Sequence, residues 1–117
     1  MSSKRPRVLL GLAVAASLAS AAGGASAEEA EVLDGATLYQ QRTCIACHGP
    51  DARTPILPEY PKIAGQNEAY ILRQIRDIKS GARNNGNTPA MAGVLHLVND
   101  QEIEILAKYI SGLSPCP

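Results

Sequence analysis

The sequence predicts an all-α fold, and three observations support this class. Two segments, near residues 67–80 and 101–112, repeat apolar residues at spacings of three and four, the period of a helix with one buried face. Residues 49–65 include six glycines or prolines, which excludes a regular element there. No segment alternates apolar and polar residues as a half-buried strand would, so no strand is expected.

The first 27 residues are expected to be a signal peptide and not part of the domain. A basic start precedes an apolar run at residues 8–22, and the small A-x-A segment at residues 25–27 is typical of a cleavage site. An uncleaved membrane anchor is the alternative, but the run is shorter than the roughly 20 residues that a spanning helix needs. We therefore expect export to the periplasm, no stable membrane insertion after cleavage, and a mature domain at residues 28–117.

The composition of the mature domain excludes one class of partner and favours a bound group. Three of the 11 basic residues lie in the leader, which leaves eight against 11 acids, a formal charge of about −3. Nucleic acid is not an expected partner, because phosphate binding needs a basic face. The chain has no Trp, no Phe and four Tyr. A domain this small and this poor in aromatics is expected to fill its centre with a large apolar cofactor.

The helices are expected in the following order. Asp34 is a favourable N-cap for a first helix that runs into a pair of cysteines. After the breaker-rich loop, a helix over residues 67–80 should end at Gly81, since glycine readily takes the left-handed conformation of a C-cap. A short helix is expected at residues 92–98. The last helix should begin with an Asn-x-x-Glu capping box at residues 99–102.

The segment that carries chemistry is Cys44-Ile45-Ala46-Cys47-His48. C-x-x-C-H is the attachment motif of c-type haem. On a helical turn the two thiols share a face, so each can add to one haem vinyl group, and the next residue can direct its imidazole at the iron. Other interpretations are a thiol–disulfide catalyst, a zinc site and a Cys44–Cys47 disulfide. The first belongs to a fold with strands, the second lacks another ligand pair, and the third is strained at this spacing.

The iron also needs a sixth ligand or an open site. Met91 is the one methionine besides the initiator, and it lies in a loop region downstream of the motif. His/Met ligation is an established cytochrome pairing, so Met91 is the expected ligand. His96 is the competitor, although its position between Leu95 and Leu97 is typical of an ordinary helix residue.

Taken in order, these motifs resemble a class I cytochrome c, and most of all one half of the two-haem periplasmic cytochromes of proteobacteria and their single-haem relatives. The resemblance covers nearly all of residues 34–113. It is carried by Gly35, Tyr39, residues 44–49, residues 60–66, residues 70–83, residues 89–91 and residues 106–109.

The resemblance implies a fold of three main helices and a short one, wrapped around one covalent haem c. It implies that His48 and Met91 are the axial ligands and that the Pro61 carbonyl accepts a hydrogen bond from the other ring nitrogen of His48. Ile63 would then pack on the haem face. Gly35 would let the first and last helices cross closely, with Tyr39 stacked near Tyr109.

The sequence departs from the two-haem pattern in three ways. It has a single C-x-x-C-H, so one haem is expected. The proline-rich insert at residues 54–59 has no assigned role. Cys116 is left over, and an odd cysteine in an exported protein indicates either a disulfide-linked dimer or an incidental residue on a terminus.

The expected function is electron transfer, without enzyme activity, between redox partner proteins: a dehydrogenase or reductase on one side and a terminal oxidase or reductase on the other. Such partners would meet the haem edge through a small transient interface. The alternatives are a haem enzyme or gas sensor with a displaceable Met91, a permanent subunit of one oxidoreductase, and a thiol–disulfide exchanger at Cys44 and Cys47.

Overall fold

A computed structural model describes residues 9–20, 23–24 and 31–117, and the chain divides into two compact units, Met1–Ala30 and Glu31–Pro117. The described residues of the first unit are neither helix nor strand. The basic start of the predicted leader and its A-x-A segment lie outside the described residues. In the parts that are described, no helix is both long and apolar enough to cross a membrane.

The second unit is all-α, as predicted, and no strand occurs in residues 31–117. Its helices, in chain order, are α1 (Gly35–Gln41), α2 (Cys44–His48), α3 (Glu68–Ser80), α4 (Thr88–Leu95) and α5 (Asp100–Ser111).

Local side-chain chemistry explains where most of these helices begin and end. Asp34 and Asn67 cap α1 and α3 by accepting a hydrogen bond from the backbone N–H three residues on. Asn99 and Glu102 form the predicted capping box of α5. Gly81 ends α3 in the left-handed conformation that was expected of it.

Two helices differ from the prediction. The first helix does not run into the cysteines: Thr43 has φ +61°, a left-handed conformation that a helix cannot contain, so α2 is a separate short helix. The short helix spans Thr88–Leu95, so it begins and ends earlier than the predicted 92–98, and Met91 lies within it and not in a loop. Pro89 lies in its first turn, where the missing N–H of proline removes no helical hydrogen bond.

The helices pack one on the next in the order α2, α1, α5, α3 and α4, and the first and last members of this open series do not contact each other. Helix α1 packs on α5 and on α2, and α3 packs on α5 and on α4. Gly35 makes the α1–α5 crossing close, because a Cβ at this position would lie 2.3 Å from the Cβ of Tyr109. Next to this contact the rings of Tyr39 and Tyr109 lie 5.8 Å apart between centroids. The fully buried apolar residues of α1 and α5 form the centre of this crossing.

One ion pair joins the end of α1 to the start of α5. The Arg42 guanidinium donates to both carboxylate oxygens of Glu102, with Nη2–Oε1 at 2.5 Å and Nε–Oε2 at 3.2 Å. Glu102 also accepts from the backbone N–H of Asn99. The hydrogen bond from Arg42 holds the pKa of the Glu102 carboxyl below its usual range.

This lowered pKa predicts a pH-dependent contribution to stability. Replacing Glu102 with glutamine is expected to reduce the free energy of unfolding by roughly 1–3 kcal/mol at neutral pH, because a bidentate charged hydrogen bond is lost. Since the folded pKa lies below the unfolded one, the difference between wild type and variant should be complete above about pH 4.5 and should shrink as the pH falls through the folded pKa.

Urea unfolding of both proteins across this pH range measures the difference. Glu104→Gln is the matched control on the same helix: Glu104 pairs with Arg76 at 3.0 Å, but its side chain is 63% exposed. Its loss should cost less than about 0.5 kcal/mol. A Glu102→Gln penalty that is the same at every pH would contradict the linkage.

Candidate functional site

Helix α2 carries the three chemically distinctive side chains of the motif. Cys44 and Cys47 are half-buried, lie three residues apart and are not joined in a disulfide. Residues at this spacing share one face of a helix. His48 is the last residue of α2 and is buried, with 7% of its surface exposed. One helical turn and its end thus present two thiols and an imidazole together.

The ring of His48 is oriented by the loop that follows it. Its Nδ1 lies 2.9 Å from the carbonyl oxygen of Pro61. A carbonyl oxygen can only accept, so in the neutral ring Nδ1 carries the proton and Nε2 keeps a free lone pair. Metal-ligating histidines are usually held in this way, with the second nitrogen donating to a backbone carbonyl. His48 is therefore prepared to bind a metal through Nε2.

The loop that presents the Pro61 carbonyl is closed by one buried residue. Ala52 is fully buried, and its carbonyl accepts from the backbone N–H groups of Ile63 at 2.8 Å and Ala64 at 3.0 Å. Ala52 has φ +58°, which a non-glycine residue seldom adopts. Ile63 is half-buried and packs against the core. The backbone that follows Pro61 is thus tied to the Ala52 carbonyl, which closes the loop.

Gly49, directly after His48, is fixed by α1. The Tyr39 hydroxyl donates to the Gly49 carbonyl at 2.7 Å, and burial raises the pKa of Tyr39 far above its usual range, which keeps the hydroxyl protonated. Gly49 has φ +81°, and a Cβ there would lie 2.1 Å from the carbonyl oxygen of Thr54. No other residue type fits this turn. The end of α2 is thereby held in one conformation.

The proline-rich insert, residues 54–59, folds back on the same helix. Its Ile56 N–H donates to the Cys47 carbonyl at 3.1 Å. Between the insert and the C-terminal tail lies an open groove of about 570 Å³, lined in part by Arg53, Lys62 and Pro115. This groove contains neither His48 nor either cysteine of α2, so it is separate from the candidate site.

The surroundings of Cys44 disfavour thiol–disulfide exchange. Burial raises the pKa of the Cys44 thiol to about 11. A catalytic cysteine needs the opposite shift, because the thiolate is the reacting form. At neutral pH the Cys44 thiol is therefore protonated and a poor nucleophile for exchange.

The two candidates for a sixth ligand differ in burial. Met91, on α4, is half-buried and packs against the hydrophobic core. His96 follows the last residue of α4 and is exposed. Of the two side chains, Met91 is the more buried.

The helices that carry His48 and Met91 lie at opposite ends of the open packing series. No Cα of α2 comes within 8 Å of a Cα of α4, and the two helices are connected only through α1, α5 and α3. A group bound by both His48 and Met91 would join the two ends of the series.

A model of the cytochrome c family matches residues 32–114. The chain belongs to the cytochrome c family. A cytochrome c4 from Pseudomonas aeruginosa is 39% identical over 94 residues, which span 80% of this chain and 40% of that protein. A thiosulfate dehydrogenase electron acceptor from Stutzerimonas stutzeri is 30% identical over 96 residues, 76% of this chain and 43% of that protein.

The fold is also similar to a solved cytochrome. The crystal structure of reduced recombinant cytochrome c4 from Pseudomonas stutzeri superposes with a TM-score of 0.55 at 39% identity, covering 61% of this chain and 38% of that one. The chain thus spans about two fifths of the length of the cytochrome c4 relatives.

The family implies haem c, and the chemistry of this cytochrome's residues fits that group. Cys44 and Cys47 share a helix face for two thioether bonds, and the Nε2 lone pair of His48 suits an iron ligand. The chain has few aromatic side chains to fill its core, and α2 does not contact α4, so a group held by both helices would lie between elements that are otherwise separate.

Two features of the site could not be read from the sequence. Tyr39 was expected to stack near Tyr109, but its hydrogen bond to Gly49 has no sequence signal because the partner is a backbone carbonyl. Ala52 is likewise an ordinary residue in the sequence, although its carbonyl organises the loop. Gly49 did carry a sequence signal, because a glycine directly follows the C-x-x-C-H motif.

Proposed function

We propose that this protein is a single-haem c-type cytochrome that transfers electrons in the periplasm. Cys44 and Cys47 would form the thioethers, and His48 and Met91 would be the axial ligands. The observation that carries the proposal is the hydrogen bond from His48 Nδ1 to the Pro61 carbonyl, on a helix that also bears both thiols.

The residues of the chain have separate tasks in this proposal. The haem iron, when bound, supplies the couple between ferrous and ferric states. Pro61 fixes the tautomer and rotation of the His48 ring, and a hydrogen bond to Nδ1–H also raises the basicity of Nε2. Ile63 contributes apolar surface beside this contact. Met91 contributes a soft thioether, which raises the reduction potential relative to harder ligands.

Electron transfer without catalysis is favoured because both axial positions would be filled by protein side chains. One C-x-x-C-H in the sequence supports a single haem. Redox partners of the kind named for the thiosulfate dehydrogenase electron acceptor fit this role, as do a donor dehydrogenase or reductase and a terminal oxidase or reductase. Cys116 is exposed, and a dimer bridged by this residue stays a prediction that a non-reducing gel can test.

An absorption spectrum and a mass spectrum of protein exported from a host that attaches haem c test the proposal. A pyridine haemochrome of the c type is expected, together with the mass of residues 28–117 plus one haem. Colourless mature protein would overturn the proposal. Retention of residues 1–27 in pigmented protein would overturn only the cleavage of the leader.

Substitution separates the two candidate ligands. Met91→Ala is expected to abolish the weak charge-transfer band of ferric haem with a methionine sulfur and to lower the reduction potential by on the order of 0.1 V, because a thioether favours the ferrous state. His96→Ala is the control and should leave both properties unchanged. Absence of this band from the wild-type protein, with a reduction potential that His96→Ala changes and Met91→Ala does not, would make His96 the ligand. Rapid binding of carbon monoxide by the wild-type protein would favour a gas sensor or haem enzyme.

A further inference from the structure

The loop before α4 contains the one Asn-Gly pair of the chain, at residues 85–86. We propose that Asn85 is a site of spontaneous modification, where it converts to aspartate or isoaspartate. The inference concerns the polypeptide alone and does not rest on the haem or on the proposed function.

The nucleophile is the backbone nitrogen of Gly86. Asn85 and Gly86 are both exposed, and no heavy atom lies within 4 Å of the position that a Cβ on Gly86 would occupy. The Gly86 N–H donates no hydrogen bond among the described residues. Because glycine has no side chain to obstruct approach, this nitrogen can reach the side chain of Asn85.

The electrophile is the side-chain amide of Asn85. Its Oδ1 lies 3.4 Å from Nε of Arg83, a long contact in which the cation withdraws electron density from the amide carbon. Arg83 is itself held in place, since its Nη1 donates to Gln74 on α3 at 2.7 Å. Arg83 therefore makes the side-chain amide carbon of Asn85 more electrophilic, and its hydrogen bond to Gln74 keeps the guanidinium in place.

The chemistry is complete with water as the co-reactant. The Gly86 nitrogen forms a bond to Cγ of Asn85 while the Cγ–Nδ2 bond breaks, and the displaced proton leaves with the amide nitrogen as ammonia. Water then opens the five-membered imide at one carbonyl or the other. Opening at the α-carbonyl gives isoaspartate, and opening at the side-chain carbonyl gives aspartate; no oxidant or reductant takes part.

The two products affect α4 differently. The backbone carbonyl of Asn85 closes the turn that begins α4, accepting from Thr88 Oγ1 at 2.7 Å and from Thr88 N at 3.2 Å. Aspartate keeps this carbonyl in the main chain. Isoaspartate routes the main chain through Cγ and leaves the former carbonyl as a pendant carboxylate, so the main chain no longer holds this acceptor in the turn.

Peptide mapping of the full chain, incubated at mildly alkaline pH and body temperature, tests the site. A gain of about 1 Da at Asn85, with isoaspartate detected by enzymatic methylation, is expected. The chain has internal controls, because Asn67, Asn84, Asn87 and Asn99 all precede residues bulkier than glycine. Asn85 should convert at least about tenfold faster than these four, since only its neighbour lacks a Cβ.

Variants distinguish the site from general ageing. Asn85→Gln should block the conversion, because glutamine would need a larger ring, and it keeps the backbone carbonyl. Asn85→Asp should exchange the amide hydrogens of α4 as slowly as fresh wild type, whereas the isoaspartyl fraction should exchange them faster. Equal conversion at all five asparagines, or no gain at Asn85, would overturn the proposal.

Discussion

Replacing Gly35 with alanine is expected to lower the free energy of unfolding by about 3 kcal/mol, the upper end of the usual cost of overpacking. The new methyl group would lie 2.3 Å from Cβ of Tyr109 and 2.8 Å from its Cγ. The Cβ of Tyr109 is fixed to the main chain, so it cannot move aside without moving the backbone of α5. The crossing of α1 and α5 would therefore have to open. Chemical denaturation of the mature protein, followed by far-UV circular dichroism, measures the loss.

Gly93 provides the matched control because it also lies within a helix. It is exposed, and a Cβ there would meet no atom within 4 Å. Gly93→Ala should stabilise the fold by roughly 0.5–1 kcal/mol through reduced backbone entropy of the unfolded chain. Equal effects at the two positions would show that the crossing tolerates a methyl group and that Gly35 has no packing role.

Replacing both Cys44 and Cys47 with serine is expected to abolish cooperative unfolding of the domain. This prediction rests on the proposed haem. A core of this size supplies on the order of 3–5 kcal/mol at most, and the chain has no Trp or Phe to enlarge it. Without thioethers the cofactor would be held only by axial bonds. We expect protein purified without haem, with reduced helix content and a shallow thermal transition.

Cys116→Ser is the control for the double variant, because it also removes a thiol but lies exposed in the tail. It should keep the haem and the unfolding midpoint of the wild type. A double variant that unfolds at the wild-type midpoint would show that the polypeptide alone accounts for stability.

Local signals in the sequence predicted the N-caps of α1 and α5 and the C-cap of α3. Asp34 and Asn99 accept hydrogen bonds from residues three positions on, so their effect is visible in the sequence. The break at Thr43 was missed because threonine seldom takes a left-handed conformation and carries no signal for it. The short helix was predicted to begin only after Met91, although a proline such as Pro89 costs little in the first turn of a helix.

The residues of the candidate site likewise differ in how far the sequence alone predicts them. Cys44, Cys47 and His48 lie within five consecutive residues, so the motif is visible in the sequence. Pro61 lies 13 residues from His48, and only the resemblance to class I cytochromes indicated their contact. The assignments of Met91 and Ile63 to a haem remain predictions. The separation of α2 from α4 is a tertiary property, and no local pattern encodes it.

The open helix series also has a consequence for maturation. Formation of the proposed thioethers at Cys44 and Cys47 needs only the five residues of α2. Among the helices, α2 packs on α1 alone, so it lies at one end of the series. Attachment can therefore precede the folding of the rest of the chain. In the proposed holoprotein, α2 and α4 would be joined across the cofactor and not by direct packing of one helix on the other. Folding and cofactor insertion would then be one thermodynamic process, in which the affinity for the second ligand is part of the stability of the protein.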